Sequence, residues 1–181
     1  ITKIQFAVAF LGLNEVYRMA LALEVIKTIA MKESRELHAF WFHSFYAALC
    51  TKRLAKTYVP QLPFDDLWSA AILHDIGKLV YLKFFPDHFK VLRTYCDEQG
   101  CLFSAAEDHF SLPASSFLGV LLCEHWLLPG KIRDACKWHS LKDLETLKRD
   151  TSPAGDFRRM VFLGNIVAVL ASEELATEVK Q

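Results

Sequence analysis

Apolar residues recur along this chain at three- and four-residue spacing, and no stretch sustains the period-two alternation of a strand. A chain patterned this way buries its apolar stripes by packing helix on helix, so an all-α fold is expected. Gly and Pro are few, seven and six in 181 residues, and act as punctuation between helices.

The spacing predicts a short helix capped by Thr2 and ended by Gly12, then a longer one from about Asn14 to Ala30. Ser34 opens a helix to about Tyr58. Pro60 and Pro63 break the chain, and a helix with Asp65 and Asp66 in its first turn runs to Asp75, where the acidic pair suits the helix dipole. Gly77 interrupts or ends that helix, and a short segment continues to Phe85. Pro86 reads as the first position of a helix that Gly100 stops. A small helix spans about Ala105 to Phe110, and another begins at Pro113 and ends near Trp126. After the turn Leu128-Pro129-Gly130 come helices near Lys131–His139, Leu141–Lys148 and Asp156–Ser172.

Hydrophobic residues make up 52% of the chain and aromatics 13%, enough for a large core and too much for disorder. The charges balance, 21 basic against 21 acidic, with no basic stripe, so a nucleic-acid partner is not expected. The five cysteines form no C-x-x-C pair, which argues against a disulfide framework and a thiolate zinc site. They read as small core hydrophobes in a reducing, cytoplasmic setting. No signal peptide is visible, and the longest apolar stretch, Met160 to Ala171, contains Asn165 and is too short to span a bilayer, so no membrane partner is expected. The chain starts at Ile1 rather than Met, which suggests that a preceding segment is missing.

Polar residues on apolar helix stripes are the informative positions. His43 shares a face with Phe40, Ala47, Cys50 and Leu54. His74 lies with Leu67 and Ala70, and Asp75 with Trp68, Ala71 and Ile72. His139 lies with Ile132, Ala135 and Cys136, and Asn165 with Val161, Phe162, Ala168 and Val169. Burying a carboxylate or imidazole is costly unless it is paired or metal-bound, so these helices are expected to converge. Metal sites inside helical bundles are built this way. The string Ala70-Ala71-Ile72-Leu73-His74-Asp75-Ile76-Gly77-Lys78 is the most specific element, with adjacent His and Asp at the end of an apolar helix, a Gly to turn the chain and a Lys beyond.

That string resembles the HD superfamily of metal-dependent phosphohydrolases, and its surroundings resemble the HD-related output domain, HDOD. Ala7-Val8 with Leu11-Gly12 is similar to that branch's A-I-x-x-L-G, and Trp41-Phe42-His43-Ser44 to its first-histidine segment. Gly119, Trp126 with Leu128-Pro129, and Trp138-His139 are similar to its later pattern. The resemblance covers about residues 4 to 172. It implies a multi-helix, HD-like orthogonal bundle, here as a single domain over residues 1–181, in bacterial signal transduction. In the superfamily the His, His-Asp and a C-terminal Asp hold divalent cations that activate a water.

Three positions depart from the pattern. Ser115 stands where the branch often has a His, Ser140 replaces the second His of an H-H pair, and Asn165 stands where the superfamily needs its last Asp. A neutral amide is a poorer ligand for a hard cation than a carboxylate. The metal candidates that remain are His43, His74, Asp75 and His139, with a divalent ion as the candidate cofactor. Lys78 reads either as a phosphate contact or as an ion pair with Asp75. His38, His88, His109 and His125 are expected at the surface, and Trp126 in the core. The expected function is a regulatory output domain with a degenerate metal site, contacting a regulatory protein or fused signalling domain, with oligomerisation open. The alternative is a metal-dependent phosphohydrolase acting on a nucleotide or cyclic dinucleotide.

Overall fold

The structure is a computed structural model that describes residues 34–178, with side chains described to residue 171. The expected helices before Ser34, and the Ala7-Val8 and Leu11-Gly12 motif, lie outside the described residues. The described residues belong to one compact unit, Glu33–Gln181. They form helices with no strand among them: α1 (Arg35–Tyr58), α2 (Phe64–Leu73), α3 (Ile76–Phe84), α4 (Pro86–Gln99), α5 (Phe103–His109), α6 (Ser115–His125), α7 (Gly130–Lys137), α8 (Leu144–Arg149) and α9 (Gly155–Glu178), with a 3₁₀ turn at Leu141–Asp143. The all-α expectation holds.

Local sequence sets the boundaries. Ser34, extended, caps α1 by accepting a hydrogen bond from the Leu37 amide at 3.2 Å. Pro86 opens α4 within its first turn, and Gly100, at φ 60°, closes it in the left-handed conformation that favours glycine. Ser140 caps the 3₁₀ turn in a reciprocal box with Asp143.

Helix α1 packs against both α9 and α2. Its inner face carries Ala47, Ala48, Thr51 and Ala55, whose small side chains let the neighbours approach closely. At Gly164 of α9 the backbone comes so near that an added Cβ would stand 2.0 Å from Thr51 Oγ1 and 2.8 Å from its Cα. Helix α2 packs on α7, α7 on α6, and α6 on α3. A second apolar cluster, Tyr81, Phe89, Leu92, Cys96, Phe103 and Ala106, joins α3 to α4 and α5.

Two details differ from the sequence reading. The helix does not run through to Gly77: α2 ends at Leu73, His74 and Asp75 form the junction, and α3 begins at Ile76. Gly77 therefore lies inside α3. Its lack of a side chain serves contact rather than turning, because an added Cβ would meet Ser115 O at 1.8 Å and Gly119 N at 2.6 Å. Trp126 and two of the cysteines, Cys50 and Cys101, are half-buried rather than core, while Cys96, Cys123 and Cys136 are buried. His38, His88, His109 and His125 are exposed as expected.

A candidate metal cluster at the histidine-aspartate junction

The junction between α2 and α3 is the organising point. Asp75 occupies the N-cap position of α3, yet its side chain makes no capping bond. The carboxylate instead faces inward, almost wholly buried, toward side chains from three other parts of the chain. His43 comes from the middle of α1, His139 from just beyond α7, and Asn165 from α9. The five polar positions read from the helix stripes do converge.

Asp75 Oδ2 accepts a hydrogen bond from Lys78 Nζ at 2.6 Å, and lies 3.5 Å from Nε2 of both His43 and His74. Asp75 Oδ1 lies 3.1 Å from His139 Nε2 and has no geometrically complete hydrogen bond. The rings of His43 and His74 are 5.4 Å apart, and those of His74 and His139 5.1 Å.

The surrounding carbonyls fix which nitrogen carries the proton. His74 Nδ1 lies 2.6 Å from Ala71 O, and a carbonyl only accepts, so Nδ1 is the donor. In the neutral ring Nε2 is then bare, and it is buried without a partner. His139 Nδ1 donates in the same way to Cys136 O at 2.9 Å, and its Nε2 faces Asp75. Asn165 Nδ2 donates to His139 O at 3.0 Å, so its Oδ1 faces His43 Nε2, also at 3.0 Å. His43 Nε2 must therefore carry the proton.

Charges follow from this layout. Burial, against the pull of Asp75, lowers the His74 pKa to about 3. Burial likewise lowers that of His43. Burial alone would raise the Asp75 carboxyl, but nearby charge outweighs it and holds the group well below the usual carboxylate range. With His74 neutral, the Lys78 ammonium is the main charge that does so.

Could these residues hold a divalent cation? His43, His74 and Asp75 offer ligand atoms within 4.8 Å of one another, the spacing of a candidate metal triad. His74 Nε2 and Asp75 Oδ1, both buried and unpartnered, are the groups a metal would satisfy. Against this, the His43 Nε2–H is donated to Asn165 and Asp75 Oδ2 is taken by Lys78. As arranged, the donor set does not fit a metal: one ligand is protonated on the inward nitrogen, and the lone carboxylate is already neutralised.

One buried acid escaped the sequence reading. Glu107 of α5 is almost fully buried, and its Oε1 accepts from the Ser115 amide at 2.8 Å, at the first turn of α6. Burial raises its pKa despite that bond. Its position one turn after Phe103, on the apolar face of a short helix, was the available signal. Ser115 thus supplies a backbone donor to a carboxylate. Ser140 Oγ reaches Ser104 Oγ at 3.4 Å, far from the roles the missing histidines would have had.

An all-α bundle with a His-Asp dipeptide at a helix junction, facing histidines from flanking helices, defines an HD-type fold. The chain matches the HDOD domain over residues 1–141 and belongs to that family. Among solved structures it is similar to an HDOD domain protein of unknown function from Geobacter sulfurreducens (24% identity, TM-score 0.73, 94% of this chain and 55% of that one). It is also similar to a candidate phosphohydrolase from Shewanella amazonensis SB2B (19%, 0.75, 96% and 61%). A third is the MmoQ response regulator from Methylococcus capsulatus str. Bath (21%, 0.58, 93% and 64%). The chain spans 55 to 64% of the length of these proteins. No curated protein matches it. Among the described residues no helix is long and apolar enough to cross a membrane.

Proposed function

We propose that this chain is a regulatory output module of bacterial cytoplasmic signalling, acting through contacts with a partner protein or fused signalling domain rather than by turnover. One observation carries the reading: two of the groups that would anchor a cation are engaged within the chain. Asn165 engages His43 and the His139 carbonyl, and Lys78 engages the carboxylate that would anchor a cation. These bonds fix the helix junction and the crossing of α1 and α9, which is a scaffolding task. The response regulator among the structural relatives supports the same reading. The test is hydrolysis of nucleotides, cyclic dinucleotides and a nitrophenyl phosphodiester with added Mn²⁺. The wild type is expected to match Asp75→Ala, and turnover that Asp75→Ala abolishes would overturn the proposal.

A second reading, a metal-dependent phosphohydrolase, is favoured by the unpartnered His74 Nε2 and Asp75 Oδ1. On that reading His43, His74 and Asp75 would hold the ion, and the Asn165 amide would have to release His43. One equivalent of tightly held Mn, Fe, Ni or Zn in the purified protein would favour it.

A further inference from the structure

We propose that Lys78 is a tethered cation that excludes divalent metal from the cluster, so that metal binding is governed by one side chain rather than lost with the missing ligands. The inference rests on the reading that Lys78, not a metal, engages the Asp75 carboxylate. The Lys78 ammonium sits 2.6 Å from Asp75 Oδ2, in an ion pair whose carboxylate side is 1% exposed. It also lies 5.4 Å from the centre of the Phe103 ring, whose face favours a cation. The lysine side chain itself is 26% exposed, so it can retreat to water. Its backbone is fixed close by, with the Lys78 amide donating to Asp75 O at 2.9 Å in the first turn of α3.

The charge count makes the lysine decisive. Of the groups facing Asp75, burial disfavours the charged forms of His43 from α1 and of His74, and Asn165 from α9, which holds His43, is an amide. Glu107 from α5 lies within electrostatic reach of both Asp75 and Lys78, but its carboxylate is committed to the start of α6. The pair of Asp75 and Lys78 therefore sums to zero. A divalent ion entering beside the ammonium would place an uncompensated double charge in a buried site, which is strongly unfavourable. It can enter only by displacing the lysine from Oδ2. With the lysine charge removed, Asp75 Oδ2 is freed beside the unpartnered Asp75 Oδ1 and His74 Nε2, members of the His43, His74 and Asp75 group whose ligand atoms lie within 4.8 Å of one another. Such a set suits a transition-metal dication.

The experiment titrates the chelator-stripped full chain with Mn²⁺ by calorimetry, with far-UV circular dichroism to check folding. Lys78→Met keeps the apolar stem and removes the charge, and Lys78→Gln serves if Lys78→Met does not fold. Lys78→Arg keeps the charge. Wild type and Lys78→Arg are expected to bind weakly, Lys78→Met at least tenfold more tightly, and Lys78→Met with Asp75→Asn weakly again. If Lys78→Met binds no better than a weakly binding wild type, the inference fails while the proposed function stands. Tight binding by the wild type overturns both.

Discussion

Lowering the pH should destabilise this domain through His74. In the fold His74 stays neutral down to about pH 3, whereas in the unfolded chain it takes a proton below about 6.5. The stability this neutral ring contributes is complete above pH 6.5 and is lost as pH falls toward 3, because the unfolded state then binds the extra proton. Each unit of pH in that window costs about 1.4 kcal/mol. At about pH 4.5, roughly two units below the unfolded value, the loss is on the order of 3 kcal/mol. A domain of this size holds about 5–15 kcal/mol in total, so the effect is large. His43, also lowered by burial, acts in the same direction. The assay is urea denaturation of wild type and His74→Gln between pH 7.5 and 4.5. Glutamine cannot titrate, so the wild-type advantage should shrink by about 3 kcal/mol across the range. A difference independent of pH would refute the assignment of a buried, neutral His74.

Three further outcomes follow from the packing. Gly77→Ala places a methyl against the Ser115 carbonyl and the Gly119 amide, both backbone, and should cost about 3 kcal/mol or more in denaturant unfolding; a loss under ~0.5 kcal/mol contradicts the close approach of α3 and α6. Asn165→Ala leaves the His43 N–H and the His139 carbonyl without their partner, and should cost about 2 kcal/mol, read as a fall in midpoint; an unchanged midpoint contradicts the amide bridge. A thiol reagent should modify Cys50 and Cys101 in the native protein and reach Cys96, Cys123 and Cys136 only on unfolding; rapid native labelling of all five would contradict the core.

Much of this was legible in the sequence because periodicity reports burial directly. The stripes that contain His43, His74, Asp75, His139 and Asn165 are the faces that meet, and a polar residue on such a stripe has few alternatives to a shared cluster. Caps were legible for the same local reason, at Ser34, Pro86 and Gly100. Pairings across the chain were not. Gly77 read as a turn because its contacts belong to α6, some forty residues away. Glu107 was not singled out because its partner is the backbone of Ser115, not a complementary side chain. The orientation of the Asn165 amide, which sets the His43 proton, depends on a carbonyl 26 residues earlier and has no sequence signature. Trp126 follows Cys123 at helical spacing, but α6 ends at His125, so its ring is only half covered.

The central claim is that Asn165 and Lys78, rather than a metal, engage His43 and Asp75. Imidazole nitrogen shifts measured by NMR at neutral pH, with and without one equivalent of Zn²⁺, test it most directly. The account predicts a proton on Nε2 of His43 and on Nδ1 of His74 and His139, unchanged by zinc. A proton on Nδ1 of His43, with its Nε2 and that of His74 shifting together on zinc addition, would contradict it.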